Sequence, residues 1–300
     1  MTNQMYYLGI RRFYIIMPLK IIFWDVQHGN AVYIETPNGK KIIMDLGVGA
    51  FGSKNDTFSP LIHLKEKYNV SQLDWVIITH PHKDHIDDIL NFDLLIPISL
   101  TRPRVSEKLQ MDGLSDADRK LFQKYLEIDA KYSSPTTDEK NLLLPKNCEG
   151  VEIKTYTPPG SFSNLNDYSI VTTIKYGTTK FLLPGDNEEP SWKALLTLPQ
   201  FVEDVKDVTI LLAPHHGRIA GYYSELFNYL KPELTIISDG PFGDTSATDR
   251  YSKVSKGKYV ISKKNSVINR NCVTTRNDGV IRVEVEQKAD KSYFAAVFID

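Results

Sequence analysis

Seven histidines punctuate the chain, at positions 28, 63, 80, 82, 85, 215 and 216, and five of them fall in two short clusters. The first is His80-Pro81-His82-Lys83-Asp84-His85. Imidazole nitrogen and carboxylate oxygen both bind zinc and its first-row neighbours, so this segment is dense in ligands. His80 and His82, two apart at a strand end, can point toward one ion. Asp84 and His85, a step further round the turn, can reach a second. That spacing predicts a two-metal site that ionises a water, with ions ~3.5–4 Å apart. The second cluster is Ala213-Pro214-His215-His216-Gly217-Arg218. His215, nearer the strand end, is expected to bind the second ion, and His216 to give a proton or a hydrogen bond to the leaving group. Between the clusters, Phe181-Leu182-Leu183-Pro184-Gly185-Asp186 carries an apolar run into one carboxylate. Asp186 is placed to bridge the ions.

Such residues need rigid roots, and short strands supply them. Lys20–Val26, Ala31–Thr36 and Lys41–Asp45 read as strands, with Pro37-Asn38-Gly39 turning the last two into a hairpin. Asp74–Thr79 is a short apolar strand ending in the first histidine cluster. A helix is expected over Leu61–Tyr68, which gives His63 a structural role. Residues 105–147 have helical spacing, with Leu121, Phe122, Tyr125 and Leu126 on one side. They are too few to hold a core of their own and read as a helical insertion or lid. Later strands follow in IVTTIKYG, KFLLPGD, VTILLAP, LTIISDG, KYVIS, VIRVEV and YFAAVF, with helices near Ser191–Leu198 and Tyr222–Leu230. The pattern predicts an α/β (α+β) fold of two packed mixed sheets with outer helices. Residues 19–300 form one domain on this reading, and 1–18 an N-terminal extension. Met17 is an alternative start to Met1.

Composition narrows the function. Hydrophobic and charged fractions of 41% and 24% are those of a globular protein, which excludes disordered, collagenous and coiled-coil classes. With 36 basic and 37 acidic residues the chain is no polycation, so any contact with nucleic acid must come from a local patch. Residues 250–270 hold seven Lys or Arg and no acid. Lys253, Lys256 and Lys258, with Tyr251 and Tyr259 among them, either track a nucleic-acid backbone or form a solvated hairpin. Arg218 is a candidate phosphate contact, and His28 either lines the site mouth or serves a turn. Cys148 and Cys272 form no CxxC, which argues against a disulfide framework or thiolate site and fits a reducing compartment. Arg11, Arg12 and Lys20 interrupt the apolar N-terminal stretch, so neither a membrane span nor a secretory signal is expected, and the protein reads as cytoplasmic. No Walker loop, GxGxxG or GxSxG is present.

The order HxHxDH, strand-terminal GD, then HHG resembles the metallo-β-lactamase-fold hydrolases. The opening Asp25-Val26-Gln27-His28-Gly29-Asn30-Ala31, followed by Pro37-Asn38-Gly39 and Ile42–Gly47, is similar to the DVGQGDA…LIDxG opening of the ComEC-type branch. That branch is the hydrolase domain attached to a DNA-uptake channel, and it also exists as stand-alone proteins. Asn166-Asp167-Tyr168-Ser169 before IVTTIKYGTTKFLLPGD and the closing Thr275–Val283 are similar to it too. The resemblance implies an αββα sandwich with a metal site along one edge. It makes His80, His82, Asp84, His85, Asp186 and His215 the metal ligands, and Asp45 a buried aspartate that orients them.

This sequence departs from that branch at Gln27, His28 and Asn30, at His85-Ile86-Asp87-Asp88 where HxGG is usual, at Arg218, and in Ser238–Val254, which lacks a histidine. No histidine lies between His85 and His215, where lactamases and glyoxalases of the fold supply a third nitrogen to the first ion. That ion must take an oxygen ligand, with Asn166 or Asp167 the candidates. More oxygen shifts preference toward manganese, so two divalent ions, Mn²⁺ or Zn²⁺, are expected. Asp84, His216 or a bound water assists proton transfer. The reading is a metal-dependent hydrolase, first a phosphodiesterase or nuclease. The alternatives are a hydrolase of lactones, lactams or thioesters, and a non-catalytic metal-binding module.

Overall fold

A computed structural model describes residues 17–50, 57–109, 111–240 and 246–300. The expected N-terminal extension falls almost entirely outside the described residues. Two mixed sheets face each other. The first has nine strands in the order Val267–Arg270, Lys258–Ser262, Tyr293–Ile299, Ile281–Gln287, Leu19–Phe23, Val32–Glu35, Lys41–Met44, Trp75–Ile77 and Ser99–Thr101. The second has six, in the order Cys272–Thr274, Leu234–Ile237, Ile210–Leu212, Thr179–Leu183, Val171–Tyr176 and Glu152–Tyr156.

Strand periodicity explains the layering. In Leu19–Phe23, residues 19, 21 and 23 point between the sheets, while Ile22 and then Trp24 point outward. In the second sheet Phe181 and Leu183 point inward and Leu182 outward. Both faces are buried, which is why these strands read as continuous apolar runs. Helices Pro60–Lys67 and Asp116–Lys131 cover the outer face of the first sheet through Leu61, Leu64, Leu121, Tyr125 and Ile128. Glu189–Leu195, Pro199–Val205 and Thr248–Val254 cover the second through Trp192, Leu195, Phe201, Val205 and Tyr251. The result is the αββα sandwich.

The charged stretch 105–147 supplies the helix Asp116–Lys131, capped by the Ser115 hydroxyl, which accepts from the Asp118 amide. The buried Arg102 guanidinium holds its far end, bonding the Asp129 carboxylate at 2.6 Å and the Tyr132 carbonyl at 2.8 Å. Some elements differ from expectation. Residues 222–230 make only the 3₁₀ turn Ser224–Asn228, and the helix near 191–198 is followed by a second, started by Pro199. Thr248–Val254 is a helix that runs into the basic stretch, where a solvated hairpin was one expectation.

Strands Lys41–Met44 and Trp75–Ile77 run parallel in one sheet, as do Thr179–Leu183, Ile210–Leu212 and Leu234–Ile237 in the other. Their C-terminal ends meet at one rim, where the Ile170 amide donates to the Thr79 carbonyl across the sheets at 2.9 Å. Phe181, fully buried between the sheets, anchors the strand that leads to Asp186. Phe181→Ala is expected to cost about 3–5 kcal/mol in a urea unfolding titration.

Candidate metal centre

The first histidine cluster leaves strand Trp75–Ile77, runs extended to His82, and closes into the single turn Lys83–Ile86. The loops on either side clamp it by backbone bonds. The Leu46 amide donates to the His85 carbonyl at 2.8 Å and the Asn30 amide to the Asp84 carbonyl at 3.3 Å. Gly47 permits this closeness, because a Cβ there would stand 2.7 Å from the Asp84 carbonyl oxygen and 2.9 Å from Asn30 backbone atoms.

Asp45 is wholly buried and makes no approach to the centre itself. Its carboxylate accepts from the Thr79 amide at 2.7 Å, the Thr79 hydroxyl at 2.8 Å, the Asn30 amide group at 2.9 Å and His85 Nδ1 at 2.8 Å. His85 therefore presents Nε2 to the rim. His80 does the same, its Nδ1 lying 3.2 Å from the hydroxyls of Thr79 and Ser169. His216 follows suit, with Nδ1 donating to the Ser238 carbonyl at 3.2 Å. Ring orientation of this kind is what metal-binding imidazoles require.

The inward atoms converge. His216 Nε2 lies 3.2 Å from Asp84 Oδ2, 3.3 Å from His85 Nε2 and 3.4 Å from Asp186 Oδ2, and His85 Nε2 lies 3.3 Å from Asp186 Oδ1. Ligand atoms bound ~2.0–2.1 Å from one tetrahedral ion stand roughly 3.3–3.4 Å from each other. Asp84, His85, Asp186 and His216 thus have the chemistry and spacing to hold one divalent cation. A second, looser set adjoins the first through Asp186. His80 Nε2 is 3.0 Å from His82 Nδ1 and 3.9 Å from Asp186 Oδ2.

Charge explains the titration of these groups. Burial works against a charged His216, yet Asp186 and Asp84 carry its pKa up to about 9. Burial likewise opposes charge on His85, but Asp186, Asp45 and Asp84 raise it well above the ordinary imidazole range. Burial disfavours the Asp186 carboxylate, and His85 and His216 hold its pKa well below the usual value all the same. His80 is held well below its usual value by burial and by His85. The acids demand positive charge at the centre, carried either by protons on imidazoles or by cations.

The two adjacent histidines stand in exchanged places relative to the sequence expectation. His215, His216 and Gly217 all adopt left-handed backbone angles, with φ of 49°, 52° and 69°. This costs roughly 1–3 kcal/mol for each non-glycine residue and reverses the chain sharply. His216 is turned into the cluster, and His215, nearer the strand, is turned aside. His215 Nδ1 lies 3.0 Å from Glu188 Oε1, and its Nε2 is 4.0 Å from Asp186 Oδ2. Of the two oxygen candidates, Asp167 is engaged by the following helix, accepting from the Ser191 hydroxyl at 2.7 Å and the Ser191 amide at 3.2 Å. Asn166 lies beside His82.

The basic stretch is not brought to the centre. Helix Thr248–Val254 starts beside Gly217 and leads away, so that the Lys256 amide meets the Pro232 carbonyl and Lys258 pairs with Glu233 at 2.7 Å. Both contacts precede strand Leu234–Ile237, whereas the centre lies past its other end. Lys253 sits in that helix's last turn. Tyr251 is buried under the helix and cannot stack on a base, while Tyr259 is exposed. Arg218 does reach the rim, its Nη2 lying 3.2 Å from His28 Nδ1, and His28 Nε2 is 3.5 Å from Asp84 Oδ2. His63 packs its ring on Phe58 and Trp24, away from the centre. A cleft of about 340 Å³ opens at His82, lined by Lys108, Leu109, Phe122, Ser163, Asn164 and Leu165. Sequence reasoning passed over Thr79, Ser169, Ser238, Glu188 and Lys108. Thr79 had a local signal as the last residue before the cluster, and Ser169 as the end of the Asn166–Ser169 motif.

The sequence model of the metallo-beta-lactamase superfamily matches residues 24–238, and the chain belongs to that superfamily. No curated protein sequence matches it. Among solved structures it is similar to the metallo-beta-lactamase fold protein YhfI from Bacillus subtilis, at 16% identity over 80% of this chain and 92% of that one, with a TM-score of 0.40. A diphosphatase from the PhnP family is similar at 11% identity over 75% and 78% of the two chains, with a TM-score of 0.39. So is AidC, a dizinc quorum-quenching lactonase, at 18% identity over 59% and 68%, with a TM-score of 0.36. No helix among the described residues is long and apolar enough to cross a membrane.

Two outcomes follow from this geometry. Asp45→Asn removes the charge that orients His85, and a 10–100-fold loss of metal affinity is expected by calorimetric titration. In chelator, folded His216 keeps its proton up to about pH 9, whereas an unfolded histidine releases it near ~6.5. The raised folded pKa contributes stability that is complete below the unfolded value and lost as pH climbs through the folded one. Urea titrations in EDTA are therefore expected to show stability falling between pH 6.5 and about 9. Metal uptake at pH 7.5 is expected to release protons.

Proposed function

We propose that this protein is a metal-dependent hydrolase acting on phosphodiesters through two divalent ions, Mn²⁺ or Zn²⁺. The observation that carries the proposal is the convergence of Asp84, His85, Asp186 and His216, whose ligand atoms all lie within 4.8 Å of one another, with His80 and His82 next to them. A divalent pair bound there supplies ionised water at neutral pH and neutralises charge on the scissile group. The chain's own residues do the rest. Asp45, Thr79, Ser169 and Ser238 fix the imidazoles, so the centre is organised before substrate arrives. The half-exposed His28 and Arg218 form the mouth beside Asp84, where Arg218 can contact a phosphoryl oxygen.

His215 takes the donor role expected of His216. It is partly exposed, and Glu188 orients it with Nε2 toward Asp186. In place of Lys253, Lys256 and Lys258, Lys108 lines the cleft at His82 beside the apolar Leu109 and Phe122. That lining suits an anionic ester with an apolar or aromatic substituent. Within the superfamily we assign the chain to the ComEC-type branch on its Asp25–Ala31 and Asn166–Ser169 motifs, with DNA or RNA as the biological substrate. A second reading, hydrolysis of a small lactone, lactam or thioester, draws support from the cleft volume, which lies within the ~300–1,000 Å³ typical of small-ligand sites.

The test is turnover of bis-p-nitrophenyl phosphate, single-stranded DNA, RNA and a neutral lactone, each with Mn²⁺, Zn²⁺ or EDTA. Metal-dependent cleavage of phosphodiesters is expected, reduced by more than about 100-fold in His82→Ala and Asp84→Ala. Lys108→Ala is expected to raise KM for the anionic diester roughly tenfold with kcat little changed, as loss of one uniform binding contact would. Turnover of the lactone with no phosphodiester cleaved would overturn the choice of substrate.

A further inference from the structure

The two sides of Asp186 are unequally furnished. One side has two imidazoles and two carboxylates in close array, from His85, His216, Asp84 and Asp186. The other has the imidazoles of His80 and His82 and only the shared Asp186. Asn166 neighbours this pair. It lies beside His82 and is only 6% exposed, and its Oδ1 is buried with no hydrogen-bond partner. Its Nδ2 donates to Glu188 Oε1 at 2.9 Å. A carboxylate accepts and cannot donate, so Glu188 takes the amino end of the amide and turns the carbonyl away from itself. The backbone supports the arrangement, with the Asn166 amide donating to Asn164 Oδ1 at 3.1 Å. Asp167, the neighbouring alternative, has its Oδ1 filled by Ser191 and by the Glu188 amide.

A buried, unpartnered carbonyl beside a ligand histidine needs a positive partner. We propose that Asn166 Oδ1 completes the donor set of the cation held by His80 and His82, with Glu188 holding the amide in place. The proposal rests on the metallohydrolase reading and adds a consequence to it. An amide oxygen is neutral, so this side offers less negative charge than the Asp84 side. The two ions must then bind with unequal affinity, the Asn166 side being the weaker, because ligand charge count tunes affinity at oxygen-containing sites.

The experiment titrates Mn²⁺ into the chelated full-length chain. Calorimetry and elemental analysis count equivalents, and electron paramagnetic resonance reads coupling between neighbouring Mn²⁺ ions. Wild type is expected to take two equivalents in a tight and a weaker step. Asn166→Leu should keep the tight step, weaken the other at least tenfold and lose the coupling signal. Asn166→Ala, which removes the same oxygen with a smaller side chain, should weaken the same step at least tenfold. Two wild-type-like equivalents in Asn166→Leu would overturn the proposal and leave the hydrolase reading standing. If Asn166→Leu does not fold, an unchanged weaker step in Asn166→Ala overturns it equally. A wild-type chain that takes up no metal removes both.

Discussion

The Asp186 carboxylate sits at the junction of two sheets, nearly out of water, with ring nitrogens of His80, His85, His215 and His216 between 3.3 and 4.0 Å from it. An acid in such a place is tolerable only if positive charge is close at hand. Asp84 and the buried Asp45 deepen the requirement. The histidines can meet it with protons, but only by giving up the nitrogen lone pairs that face inward. Divalent cations meet it while leaving those lone pairs in use. The rim loops are therefore organised around a deficit of positive charge that the protein's own side chains fill poorly.

The rest of the molecule holds that deficit in place. Parallel strands from both sheets deliver their loops to the same edge, and backbone bonds between Leu46 and His85, and between Ile170 and Thr79, lock the loops together. Gly47 lets two of them touch. The left-handed His215-His216-Gly217 turn stores strain where it aims a ligand, a form of cost commonly found at functional positions. Helix Asp116–Lys131 packs behind the first cluster and also supplies Phe122 to the cleft at His82, so one element both seals the core and shapes access.

Much of this was legible in the residues. The apolar runs, the turn at Pro37-Asn38-Gly39 and the clustering of His80, His82, Asp84 and His85 with Asp186 are local features, and local features are what a sequence displays. What stayed hidden depended on chain reversal or on distant partners. Nothing in HHG says which histidine points inward, because that is decided by positive φ angles at non-glycine residues. Asp45 could be named, since a buried aspartate at a strand end fits a known pattern, but nothing in the residues said that Ser169, brought in by the other sheet, would meet His80 Nδ1. The basic run at 250–270 misled for the same reason. Its charge is real, yet a helix starting at the rim carries Lys256 and Lys258 to the opposite end of the sheet.

The decisive measurement is anomalous diffraction from crystals soaked in Mn²⁺, recorded on either side of the manganese absorption edge. Two peaks are expected next to Asp186, one among Asp84, His85 and His216 and the other beside His80 and His82. A map with no peak at Asp186, from protein that retains its fold, would contradict it.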